Sequence, residues 1–145
     1  MMGTQVVRMG DYIKIERYIG QRGSWFVTTD TGERYPCLHK HRQRDAVYHD
    51  PNYSLMPDGE ITLRGKKLTK MQREFVDALK GEFAVIGVSE NIESDTLTRR
   101  YCVGRFRVAD LRIDAEGLWL TIDEQVARAM LPEGLRRALR GRGSY

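Results

Sequence analysis

Disulfide scaffolding is the first architecture that this sequence excludes. Its 145 residues contain two cysteines, Cys37 and Cys102, enough for one bridge at most. The stretch Met1-Met-Gly-Thr-Gln-Val-Val-Arg8 has no basic segment leading into an apolar one, so the chain reads as cytoplasmic and both thiols as reduced. No apolar run approaches the roughly 20 residues that a membrane-spanning helix requires, and no membrane partner is expected. Proline is scarce, at four residues, and no Pro/Ser-rich tract marks a boundary. One domain over residues 1–140 is therefore expected, with 141–145 as a frayed tail. Missing too are a Gly-x-Ser-x-Gly elbow, a phosphate-cradling glycine loop and a dinucleotide fingerprint after a strand. That points away from a conventional nucleotide-using enzyme.

What the chain does have is alternation. Phe83-Ala-Val-Ile-Gly-Val88 is an apolar strand, Arg99 to Ile113 a long ribbon, Asp114-Ala-Glu-Gly117 a turn and Leu118-Trp-Leu-Thr-Ile122 the returning strand. Within the ribbon the phase slips at Gly104-Arg105 and again at Ala109-Asp110, which predicts bulges or bends. Arg99, Arg105, Arg107 and Arg112 lie opposite the apolar side chains, so the face turned from the core is expected to be positive.

Ahead of this meander, Tyr12 to Ile19 alternates as a half-buried strand, and Ser24 to Thr29 is rich in aromatic and β-branched residues. Asp30-Thr-Gly-Glu33 reads as a hairpin turn returning through Arg34-Tyr-Pro-Cys-Leu38, where Pro36 points to an edge or a bulge. Periodicity disappears from His39 to Gly59, a polar and aromatic stretch read as a long functional loop, and Glu60 to Arg64 reads as a short strand. Thr69 to Lys80 is the clearest helix: Thr69 and Gln72 have capping-box spacing, Met71, Phe75, Ala78 and Leu79 form a stripe, and Gly81 follows. Asp123 is a plausible N-cap for a short helix carrying Val126, Ala127 and Met130, and Pro132 for another with Leu135, Ala138 and Leu139.

Two constellations carry chemistry. Cys37, His39 and His41 alternate, and if their strand runs that far they project to one side within roughly 7 Å of each other. His49 or Asp50 would then complete a site for zinc or another divalent metal, although no second half of a familiar zinc signature follows. The second constellation is basic and aromatic: Arg34, Lys40, Arg42 and Arg44 lead into Tyr48 and Tyr53, the materials of a single-strand nucleic-acid binder. A formal net charge of +4 agrees with a polyanionic partner. Against it, Asp45, Asp50, Asp58, Glu93 and Asp95 are available to neutralise the cations as a solvated surface.

The sequence thus predicts an α+β domain: a strongly bent antiparallel sheet or small open β-barrel with one central helix and short C-terminal helices. In outline this is similar to small barrels of the PUA, Tudor-like and OB kinds, with no motif specific to any of them. The expected function is that of a small non-enzymatic nucleic-acid-binding module without a cofactor. In it Arg42, Arg44, Arg105 and Arg107 contact phosphates, and Tyr48 or Tyr53 stacks on a base. The alternatives are a metal-dependent hydrolase or nuclease centred on Cys37, His39, His41 and His49, and a protein-interaction adaptor.

Overall fold

The computed structural model describes residues 13–19, 25–91 and 98–130. Among them the chain runs β1 (Lys14–Glu16), β2 (Tyr18–Ile19), β3 (Phe26–Thr29), β4 (Arg34–His39), a 3-10 turn (Lys40–Arg42), β5 (Gln43–Arg44), β6 (Val47–Asp50), β7 (Tyr53–Leu55), β8 (Ile61–Leu63), β9 (Lys66–Lys67), α1 (Lys70–Ala78), β10 (Phe83–Asn91), β11 (Thr98–Asp114) and β12 (Gly117–Ala129). One large sheet has the order β2-β3-β4-β10-β11-β12-β6-β5, with β1 beside β12; β7, β8 and β9 form a separate meander. The expected balance of sheet and helices is therefore wrong. Among the described residues the fold is mostly β with one α-helix, no closed barrel forms, and the large sheet is mixed, because β4–β10 and β1–β12 are parallel.

The unbroken apolar run of β10 is explained by its place. Ala84 and Ile86 are buried on one face of the sheet with Leu38, Leu79, Val108 and Ile122, while Val85 is buried on the other with Tyr18, Val27, Cys37 and Cys102. A strand covered on both sides has no polar positions to alternate with. β4 lies between β3 and β10, not at an edge as Pro36 implied. Cys37 N donates to Trp25 O of the β3 side at 2.9 Å, so by alternation Pro36, which has no N–H, turns that position toward β10. The β4–β10 ladder begins just past it, at Cys37.

Both phase slips in the ribbon are real. The β11–β12 register shifts beside Arg105 and Phe106 and again between Ala109 and Arg112, where Asp110 has a φ of 57°. Gly104 makes the first slip possible: a Cβ there would lie 2.1 Å from Ala127 O. Beyond Ile122 the expected helix does not form. β12 continues to Ala129, because β11 pairs with it on one side (Arg105 opposite Ala127) and β1 on the other (Lys14 opposite Ala127). The spacing of Val126, Ala127 and Met130 fits either period, and available ladder partners decide. The second expected helix and the tail lie outside the described residues.

The stretch read as a loop from His39 to Gly59 is built instead from the 3-10 turn and the short strands β5, β6 and β7. α1 begins as its capping box requires: Gln72 N donates to Thr69 Oγ1 (3.2 Å) and Thr69 N to Gln72 Oε1 (2.9 Å). The helix buries Phe75 and Val76, with Leu79 just beyond it, whereas Met71 stays exposed. Phe75 meets Trp25 and Phe26 edge-on, with ring centroids 5.0 and 6.1 Å away.

Candidate functional site

A concavity lies where the 39–64 region meets the sheet. β4 ends at His39, and the 3-10 turn reverses the chain so that His39, His41 and Arg42 share one rim. β6 adds Tyr48 and Asp50, β7 adds Tyr53, and the β8–β9 turn adds Arg64. The floor is apolar, from Trp25, Leu63, Phe75 and Leu118, and the pocket encloses about 270 Å³. That falls just below the roughly 300–1,000 Å³ of pockets for drug-sized ligands, a size suited to one flat ring system.

Its polar groups are few and directed. Tyr53 is 2% exposed, yet its hydroxyl has no hydrogen-bond partner among the described residues. Such a group costs roughly 1–3 kcal/mol if nothing meets it, and Tyr53 is one of the residues that surround the pocket. The Tyr48 hydroxyl accepts from the His39 backbone N–H at 3.4 Å. Burial pushes the Tyr48 phenol up to about 12, and burial with the nearby Asp50 carboxylate raises that of Tyr53, so both keep their protons at neutral pH. Asp50 is the single carboxylate among the lining side chains; it accepts from Asn52 N (3.0 Å) and pairs with Arg42 (3.5 Å).

Arg64 and Gly65 form the two-residue β8–β9 turn with φ of 52° and 79°. Such a pair is the signature of a type I′ hairpin. An arginine in left-handed backbone at a pocket rim is a strained choice, and strain of this kind concentrates at binding sites. Sequence reasoning missed Arg64, though the dipeptide Arg-Gly between two short β runs is the hairpin signal that would have found it. Trp25, from the aromatic 24–29 stretch, and Phe75, from the helix stripe, complete the lining, and nothing local in the sequence ties them to this pocket.

The structure thus gathers Arg42, Tyr48 and Tyr53 from one expected constellation and Cys37, His39 and His41 from the other around a single cavity. The remaining candidates lie elsewhere. Arg105 faces away from Phe106 as expected, but that face is covered by β1 and β2. It is 11% exposed and grips Glu16 with both arms of its guanidinium (Nε to Oε1 3.0 Å, Nη2 to Oε2 2.9 Å). Tyr18 donates to the same carboxylate at 2.7 Å, and the guanidinium lies 4.9 and 4.7 Å from the rings of Tyr35 and Phe83. Arg107 pairs with Glu124 (3.8 Å) and Arg112 with Asp114 (3.9 Å). Arg44 is exposed on β5, and the side chain of Arg99 lies outside the described set.

For the metal donors, the strand ends before His41, which breaks the expected alternation. The His39 and His41 rings are 5.8 Å apart, while Cys37 Sγ lies 3.8 Å from Leu38 O and its thiol is lowered by a hydrogen bond with Cys102. His49 stacks on Trp119 at 3.7 Å with Nε2 3.0 Å from Glu116 O, where Gly117 leaves room for it: a Cβ there would be 2.6 Å from that nitrogen. Among the described residues no three His, Cys, Asp or Glu side chains come together as a metal-holding group. No protein-family model, curated protein or solved structure matches this chain.

Proposed function

We propose that this protein is a nucleic-acid-binding module that takes one unstacked base of a single strand into the pocket between the 3-10 turn, β6, β7 and α1. The observation that carries the reading is a cavity of one-ring size whose lining joins the aromatic residues Trp25, Tyr48, Tyr53 and Phe75 to the guanidinium groups of Arg42 and Arg64. Bases present both carbonyl acceptors and amino donors. The pocket offers hydroxyl and guanidinium donors and one carboxylate acceptor, Asp50, so it complements a base edge better than a purely apolar ligand. Aromatic stacking of this kind contributes roughly 1–3 kcal/mol per base.

The backbone of the strand would run from Arg64 at the mouth over exposed cations outside the pocket. Among the described residues Arg44, Arg64, Lys66 and Lys70 are exposed and form no ion pair with a described carboxylate. Arg105 and Arg107 are engaged by Glu16 and Glu124 and take no part in this reading. The test is fluorescence anisotropy of a labelled single-stranded oligonucleotide across a salt series. Affinity should fall with a log–log slope of about −0.7 per phosphate contacted, near −2 to −3 for three or four contacts. A flat response, or no binding at low salt, overturns the proposal.

A further inference from the structure

The rim of the pocket holds two imidazoles that the binding reading does not use. His39 closes β4, His41 sits in the 3-10 turn, both are exposed, and their ring centroids are 5.8 Å apart with planes 36° from parallel. They are held together at the mouth of a cavity that Arg42 and Arg64 also line.

We infer that the bound strand is RNA and that the histidine pair cleaves it. The inference rests on the binding reading above and extends it to chemistry. With a base seated against Tyr48 and Tyr53, the adjoining ribose and phosphate fall at the rim where the imidazoles and guanidinium groups lie. One imidazole, neutral, takes the proton from the ribose 2′-hydroxyl. The freed oxygen attacks the neighbouring phosphorus, a P–O2′ bond forms and the P–O5′ bond breaks. The other imidazole, protonated, gives its proton to the departing 5′-oxygen. The products are a 2′,3′-cyclic phosphate and a 5′-hydroxyl; no water is consumed, and one proton is taken up as one is released. Attacking and leaving oxygens lie on opposite sides of phosphorus, so the two proton-transfer groups must flank it at a separation of several ångströms, as this pair does. The Arg42 and Arg64 guanidinium groups supply positive charge for the phosphorane oxygens.

The experiment incubates the full chain, with a metal chelator present, with an end-labelled oligoribonucleotide and with its fully 2′-O-methylated counterpart, and measures binding of both. The expected result is binding of both, cleavage of the ribose form alone, and 2′,3′-cyclic phosphate ends. His39→Ala and His41→Ala, purified identically, should each cut the rate about 100-fold or more while changing affinity for the methylated strand less than threefold. Binding without cleavage, cleavage that the chelator abolishes, or cleavage unchanged in both variants overturns the inference and leaves the binding reading standing. Failure to bind the methylated strand removes both.

Discussion

Replacing Arg64 by asparagine should make the protein more stable and a poorer binder at once. With φ at 52°, Arg64 occupies the first position of a type I′ turn whose second is Gly65 at 79°. Left-handed backbone costs an ordinary L-residue roughly 1–2 kcal/mol, and asparagine, which hydrogen-bonds locally in that region, recovers about half of it. The side chain is exposed, so little packing is lost, and the turn's backbone bond from residue 64 N to Asn52 O (2.8 Å) is kept. A gain of about 0.5–1 kcal/mol follows, a rise in Tm of roughly 2–4 °C for a domain of this size. Binding moves the other way. One phosphate contact fewer flattens the slope of log affinity against log salt by about 0.7. At low salt the same loss weakens binding roughly five- to tenfold, about 1–1.4 kcal/mol. Thermal melts and anisotropy titrations on one preparation read both effects. A variant that melts below the parent refutes the strain argument, and an unchanged slope removes Arg64 from the phosphate contacts.

Two further changes probe other parts of the molecule. Tyr53→Phe deletes a buried hydroxyl with no partner, so without ligand it should raise stability by about 1 kcal/mol, seen as a higher denaturant midpoint, while lowering oligonucleotide affinity; a drop in the midpoint would mean that the hydroxyl is bonded in the free protein. Glu16→Gln should cost about 3 kcal/mol at pH 7, because it leaves the Arg105 guanidinium uncompensated inside the protein. Burial pushes the Glu16 carboxyl up, but Arg105 and Tyr18 outweigh it and hold the group below its ordinary 4.5. A carboxyl depressed in the folded state stabilises above its unfolded pKa and loses that contribution as pH falls through the folded one. Chemical denaturation at pH values below 4.5 should accordingly show the parent losing stability more steeply than Glu16→Gln; parallel acid limbs for the two proteins would contradict this.

Local signals in the sequence were faithful wherever one local rule governs. The capping box at Thr69 and Gln72, the hairpin turn at Asp30–Glu33 and the two slips in the 99–113 ribbon each depend on neighbours within a few positions, and each is present. What failed depended on partners far along the chain. Pro36 is a poor ladder residue, yet β10 docks parallel just beyond it. Asp123 to Ala129 had helical spacing, yet β1 and β11 hold it extended. Arg105 was rightly placed opposite the apolar side chains, but that second face is closed over by Glu16 and Tyr18, so an expected phosphate contact became an internal ion pair. For the pocket, Arg42, Tyr48 and Tyr53 were visible as a basic and aromatic cluster. Their convergence with His39 and His41 was not, because strands of two to four residues are too short to impose a readable period.

The parallel ladder of β1 with β12 also governs how the chain is made. Lys14 lies opposite Ala127, 113 positions later, so the first described strand can find its partner only after all the residues between them have been made. At roughly 5–20 residues per second that delay is about 6–20 s. For most of it Glu16 has no Arg105, and throughout it Ile15 keeps an unpaired edge open to self-association.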